Sequence, residues 1–289
     1  MTVIRTSAAI LSVLGLLGGL TVASIIWRKR QLHQPKYFIL LNLTVSDTSL
    51  AVVLLILLTY TYYVPTLTCS IPFVARLVIY FLIMASLGSN FMLMLDRYLA
   101  IRLCLRYYSF TTGHVQILII ALWSVCIALT GVIYSMSRKD YGYGIDEAAV
   151  GTYILSTVLV AMFIMNRYVM KTRCLQLKRI GPLSTALPGE TVERIHLLKK
   201  CVRSIKEVRC LHYFSLLNIL VLLIYNVFVL LHRHDYLHIF TKLVSVMIVF
   251  TLFLNPLVYV MTMSELRKIT LHELTRLVTL LRRYVSNNE

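Results

Sequence analysis

Seven apolar stretches alternate along the chain with short polar segments. Each is about 20 residues long or longer, which is enough for a helix to cross a bilayer. Lipid offers no partners to backbone polar groups, so each stretch must be helical. We predict one domain, 1–289, with transmembrane helices near 8–27, 37–63, 71–101, 115–134, 151–170, 203–231 and 237–263. The sixth helix is expected to begin ahead of its apolar run, which starts at residue 211.

The segment 264–285 has a different pattern, in which apolar residues recur at nearly helical spacing with basic residues between them. These apolar positions are Leu266, Ile269, Leu274, Leu277, Val278 and Leu281. A helix of this kind lies on a membrane surface rather than crossing it. The predicted fold is therefore all-α: a seven-transmembrane bundle with a short amphipathic eighth helix at the cytoplasmic face.

Basic residues are concentrated in alternate connecting segments. The segment 28–36 has four Lys and Arg, the segment 171–206 has nine, and the tail after the seventh helix has five. Lys and Arg favour the cytoplasmic side of a membrane. We therefore expect an extracellular amino terminus, a cytoplasmic carboxy terminus and a multi-pass protein of the plasma membrane.

Composition supports a membrane protein and narrows its function. Of the 289 residues 58% are apolar and the mean hydropathy is +0.78, whereas soluble domains are about 45–50% apolar. The net charge is +17, but the cations lie between apolar runs, which argues against nucleic acid as a partner. The six cysteines have no paired or metal-binding spacing, and no catalytic triad or phosphate loop is visible. We expect no enzyme activity.

Two charged positions inside apolar runs indicate function. Asp47 lies within the second run, and an intramembrane carboxylate is functional by default, with a purely structural hydrogen-bonded role as the alternative. Asp96 and Arg97 lie at the end of the third run. A guanidinium in hydrocarbon costs ~2.5–3.5 kcal/mol, so Arg97 should lie at the membrane boundary with a partner from elsewhere in the chain.

Several motifs in order along the chain resemble the rhodopsin-like (class A) G-protein-coupled receptors. They are Leu41-Asn42-Leu43-x-Val45-x-Asp47, Asp96-Arg97-Tyr98, Trp123 and Asn255-Pro256-Leu257-Val258-Tyr259. The resemblance implies a receptor that couples an extracellular ligand to a heterotrimeric G protein, with arrestin as a further partner. An orphan or degenerate receptor, or a seven-helix transporter, is the alternative.

The resemblance implies an activation switch near the cytoplasmic side. Arg97 would pair with Glu207 in the inactive state, although Glu207 could instead only offset Lys206 and Arg209. Tyr168 and Tyr259 would move together on activation, and Pro256 removes one backbone donor next to Asn255. Asp96 and Tyr98 complete the switch.

Asp47, Ser86 and Asn255 resemble the interior sodium site of the family; no other cofactor is expected. Ser86 lies eleven residues before Arg97, about three helical turns, and so shares its face. The site departs from the family at Leu252, where another polar residue is common. A plain polar cluster without an ion is the alternative.

The outer half departs further from the family. Gly19 replaces a usual Asn, the fifth and sixth helices lack their usual prolines, and Cys69 has no partner in 135–150, so we expect no outer disulfide. The pocket is expected to be apolar with two tyrosines, which suits a small neutral or lipid-like ligand. Its residues would be Ile79, Tyr80, Ile83, Tyr225, Phe228, Ser245 and Val249.

A looser resemblance indicates a subgroup of this receptor family. The segments 33–38 and 96–112 and the short tail resemble odorant-type, chemosensory members, although the odorant signature around the sixth helix is not evident. An orphan receptor of another subgroup is the alternative.

Overall fold

The computed structural model describes residues 2–63, 73–103, 112–138, 248–261 and 263–286, together with part of 157–172. Five helices are α1 Thr2–Arg28, α2 Pro35–Tyr63, α3 Phe73–Leu103, α4 Thr112–Arg138 and α6 Ser264–Ser286. Helix α5, Ile248–Met261, precedes α6. The 3-10 turn Arg30–Leu32 joins α1 to α2. Within these ranges all regular structure is helical, as expected from an apolar sequence in lipid.

Four of these helices are long and apolar enough to cross a membrane. The spans are Thr6–Arg28, Pro35–Tyr60, Leu77–Ala100 and Gly113–Val132. Helices α5 and α6 would add a fifth if counted together, but their axes differ by 99°. The predicted fifth helix is only partly described, and the predicted sixth helix and the first part of the seventh lie outside the described residues.

Helix α2 is central to the described part of the bundle, because it packs against α1, α3 and α4. The largest apolar cluster brings together all six labelled helices. Its fully buried members include Leu40 and Leu43 of α2, Tyr259 of α5 and Leu266 of α6. Large apolar side chains cover the outside, among them Ile56, Ile117 and Ile120, each more than 60% exposed. An apolar exterior of this extent is suited to lipid.

Glycines allow α1 to approach its neighbours closely. A Cβ atom on Gly15 would lie 3.0 Å from the Leu252 carbonyl oxygen, and one on Gly18 would lie 3.2 Å from the Pro256 Cβ. A Cβ on Gly19 would collide with the Thr48 hydroxyl on α2. Small residues at helix contacts are a general feature of membrane bundles. The absence of a side chain at position 19 is therefore required by Thr48.

Helix α6 is held to the start of α2 and the end of α1. Tyr37 donates a hydrogen bond to Glu265 (Oη to Oε2, 2.7 Å), and Lys36 pairs with the same carboxylate at 3.3 Å. One helical face begins with Leu266, which is fully buried, and Ile269, which is partly buried. Further along, Leu274 and Val278 are more than half exposed. The side chains of Leu277 and Leu281, also predicted on this face, lie outside the described set.

Candidate functional site

Asp47 is the centre of a buried polar cluster between three helices. Its Oδ1 accepts a hydrogen bond from the Ser86 hydroxyl at 2.5 Å, and its Oδ2 accepts one from Asn255 Nδ2 at 2.7 Å. The three side chains are 3–9% exposed. Both carboxylate oxygens therefore have a donor, one from α3 and one from α5.

The break that proline makes in α5 lies beside this cluster. Pro256 follows Asn255 and has no backbone N–H, so the carbonyl of Leu252, four residues earlier, loses its helical donor. That carbonyl is the atom on which Gly15 of α1 packs. Leu252 itself is buried and packs with Leu50 and Leu82. The departure at position 252 thus places an aliphatic side chain where the family pattern has a polar one.

A second hydrogen bond joins α3 to α5, one helical turn away from the Asp47 cluster. The Tyr259 hydroxyl donates to Asn90 Oδ1 at 3.4 Å, and Asn90 Nδ2 donates to the Ser86 carbonyl at 3.3 Å. Tyr259 is only 1% exposed. Sequence reasoning missed Asn90, although its position four residues after Ser86 places it on the same helix face.

A third polar link ties α4 to α2 and α3. Trp123 Nε1 donates to Asn42 Oδ1 at 2.9 Å, and Asn42 Nδ2 donates to Ser89 Oγ at 2.7 Å. The indole ring also packs edge-on against Phe81 with centroids 5.4 Å apart. Asn42 and Trp123 were part of the sequence motif, whereas Ser89 was not. The half-buried amide of Asn42 faces two helices and uses both of its ends, so its partners are fixed by packing rather than by the local sequence.

The predicted charge switch is only partly within the described residues. Asp96 is 6% exposed, Tyr98 is half-buried, and the side chain of Arg97 lies outside the described set. Glu207 also lies outside the described residues, so the Arg97–Glu207 pair stays a prediction. Tyr168 is 58% exposed, in contrast to the buried Tyr259.

The predicted ligand pocket is described at four of its seven positions. Ile79 and Ile83 are partly buried against the cluster of Leu50, Ala51, Leu82 and Leu252. Tyr80 and Ile83 also pack against Met84, Ala85 and Cys126. Val249 of α5 is 5% exposed. Tyr225, Phe228 and Ser245 lie outside the described residues.

No group of three His, Cys, Asp or Glu side chains that could hold a metal occurs among the described residues. The neighbours of Asp47 are the Ser86 hydroxyl and the Asn255 amide. The arrangement can hold helices together, or accept a small hard cation.

Apolar spans around a buried carboxylate and a proline-broken helix define a polytopic helical membrane protein. The family model described as 7 transmembrane receptor (rhodopsin family) matches residues 18–259. This range covers most of the chain and includes every residue of the polar cluster. The chain belongs to the rhodopsin family of seven-transmembrane receptors, which are receptors rather than enzymes. The comparison confirms the family resemblance and the all-α seven-helix class inferred from the sequence.

A curated relative supports the same placement. The chain is 29% identical over 191 residues to melanocortin receptor 3 of Homo sapiens, a match that covers 61% of this chain and 56% of that receptor. The chain thus spans little more than half the length of the curated relative it matches.

Proposed function

We propose that this chain is a plasma-membrane receptor that converts the binding of an extracellular ligand into activation of a heterotrimeric G protein. The observation that carries the proposal is the Asp47 cluster. One carboxylate accepts hydrogen bonds from α3 and α5 at once, so a shift of either helix changes its partners. Family membership supports a signalling role for such a shift.

The direction of signalling follows from the basic segments. The end of the bundle at which α1, α2 and α6 meet is rich in Lys and Arg, which favour the cytoplasmic leaflet. Tyr259 lies between the Asp47 cluster and that end, one turn beyond Asn255. We place the G-protein site, and an arrestin site, at this end and the amino terminus outside the cell.

Sodium is the ion that the cluster would accept. Asp47 offers two carboxylate oxygens and Ser86 a hydroxyl, and hard cations prefer such oxygen ligands. Asn255 directs its amide nitrogen toward Asp47, so its oxygen is not part of this donor set. Asp47 and Ser86 would hold the ion and supply its counter-charge. The test is thermal stability in sodium chloride against choline chloride. Sodium should raise the Tm of the wild type and leave that of Asp47→Asn unchanged; equal responses would exclude the ion.

The ligand is proposed to be small and apolar or neutral. Ile79 and Val249 present no charge at two expected pocket positions, and Ile79 packs among aliphatic side chains. A chemosensory role, as in odorant-type members, is supported only by the sequence resemblance of the segments 33–38 and 96–112. The human relative is named for melanocortin, and a ligand of that kind is therefore the competing candidate in a screen.

The test is second-messenger output from cells that express wild type or Arg97→Ala at matched surface levels. Wild type should respond to at least one member of a library of small apolar compounds, and Arg97→Ala should not. Glu207→Ala should raise ligand-independent output if it holds Arg97 in the inactive state. Identical output from wild type and Arg97→Ala, basal and across the library, would favour a degenerate receptor.

A further inference from the structure

A groove of about 540 Å³ lies between α1 and α6, away from the Asp47 cluster. Its α1 wall is one helix face, which runs from Leu17 through Ser24 to Arg28. Its α6 wall includes Leu274 and Arg276. The two walls come from a membrane-spanning helix and from a helix that turns away from α5 by 99°. The groove therefore opens where hydrocarbon gives way to headgroups.

The apolar part of the groove has the length of one lipid tail. Leu17 and Arg28 are eleven residues apart, which is ~16 Å along a helix at 1.5 Å per residue. Half of a bilayer's hydrocarbon core is about 15 Å. Leu17 and Leu20 line this part and are each about half exposed, at 56% and 49%.

The opposite end of the groove is cationic. Arg28, Lys29 and Arg276 line it with one carboxylate, Glu273, so two positive charges are in excess. Glu273 is paired with Lys29 at 2.6 Å. Among the residues that the structure describes, Arg28 and Arg276 form no ion pair within contact distance, although the charge of Arg276 acts on Glu273 from the same helix. Two guanidinium groups at the membrane boundary are well suited to bind a phosphate.

We propose that this groove binds an anionic phospholipid of the surrounding leaflet, with one acyl chain along Leu17 and Leu20 and the phosphate between Arg28 and Arg276. A zwitterionic lipid would satisfy the apolar wall but would carry no net charge toward the excess cations. The bound lipid would bridge α1 and α6 and so strengthen the contact that the Lys29–Glu273 pair already makes.

The experiment is lipid competition on the purified full-length chain. Delipidated receptor in detergent is offered equal amounts of phosphatidylglycerol and phosphatidylcholine with identical acyl chains, and native mass spectrometry counts the bound lipids. Wild type should retain phosphatidylglycerol preferentially. Arg28→Gln/Arg276→Gln should weaken that preference by about fivefold for each cation removed. The control is Arg282→Gln/Arg283→Gln, which loses the same charge at exposed α6 positions outside the groove, and it should keep the preference.

Two further measurements distinguish binding of a lipid in the groove from unspecific electrostatic attraction of an anion to the basic residues. Ser24→Trp fills the groove without changing charge and should reduce retention of both lipids. Glycerol phosphate, the headgroup without tails, should not displace phosphatidylglycerol at equal concentration. The proposal is overturned by a wild type without headgroup preference, by equal losses in the two double variants, or by full retention in Ser24→Trp. Displacement by glycerol phosphate would also overturn the proposal, because it would show that the site binds the anion and that the acyl chain contributes nothing.

Discussion

Truncation of Asp47 tests the polar cluster most sharply, since two helices depend on one side chain. Asp47→Ala leaves the Ser86 hydroxyl and the Asn255 amide, both buried, without their acceptor. A buried donor without a partner costs about 1–3 kcal/mol, and hydrogen bonds between membrane helices average about 0.6 kcal/mol with a maximum near 1.7. We expect Asp47→Ala to lower the free energy of unfolding by about 2–4 kcal/mol.

Asp47→Asn should behave differently although it changes the same residue. Its amide keeps the shape of the carboxylate and can still accept from one neighbour, while the Ser86 hydroxyl can rotate to accept. The loss of charge also removes a desolvation cost. We expect Asp47→Asn to raise or lower the free energy of unfolding by no more than about 1 kcal/mol.

The assay is thermal unfolding in detergent, with the other five cysteines replaced by serine in every variant, so that a thiol-reactive dye reports exposure of the buried Cys126. At about 2–4 °C per kcal/mol, Asp47→Ala should lower the Tm by about 4–16 °C, and Asp47→Asn should shift it by no more than about 4 °C. Ser46→Ala is the matched control, because Ser46 is also buried but donates within its own helix, to the Asn42 carbonyl at 3.0 Å. Equal small shifts for all three variants would refute the role of the carboxylate.

Three further predictions concern the helix contacts. Gly19→Ala should lower the Tm because its Cβ meets the Thr48 hydroxyl, and Thr48→Ala in the same chain should restore it; additive losses would contradict the clash. Trp123→Phe keeps the ring but loses the donor to Asn42, so it should cost about 1 kcal/mol in the same thermal assay, and no loss would show that the bond is unimportant. The hydrogen bond and charge of Lys29 lower the pKa of Glu273, so the α6 contact should persist above the usual glutamate range and weaken as pH falls through the lowered pKa. Hydrogen exchange in the part of α6 around Glu273, corrected for the pH dependence of exchange itself, should show a larger acid step in the wild type than in Glu273→Gln, in which Glu265 still pairs with Lys36.

The buried carboxylate could be anticipated from the sequence because a charge in hydrocarbon is rare. Asp47 stands out in an apolar run, whereas its grouping with Ser86 and Asn255 was implied by the family resemblance and not by spacing. The break at Asn255-Pro256 is equally local, since proline lacks a donor whatever surrounds it. The structure brings these three positions together with distances of 2.5 and 2.7 Å.

Other contacts could not be predicted, because they depend on which helices are neighbours. Asn90 and Ser89 are ordinary polar residues until Tyr259 and Asn42 approach them. The requirement for glycine at position 19 depends on Thr48, which belongs to another helix. The departure from the family pattern at position 19 is therefore matched by a neighbouring side chain.

The α6 contacts show a similar limit. Its amphipathic pattern predicted a surface helix, but the pairing of Glu273 with Lys29 and of Glu265 with Lys36 depends on the 99° turn after α5. Charge alone did not identify these partners, since basic residues are numerous near this end. The turn also creates the groove against α1.

The most direct test of the receptor assignment is nucleotide exchange on purified heterotrimeric G proteins in the presence of the full-length chain in lipid nanodiscs. The account predicts that wild type accelerates exchange, alone or with a ligand found in the screen, and that Arg97→Ala, purified and folded to the same extent, does not. Acceleration that is equal for both proteins, or absent for wild type with every G-protein class and ligand, would contradict it.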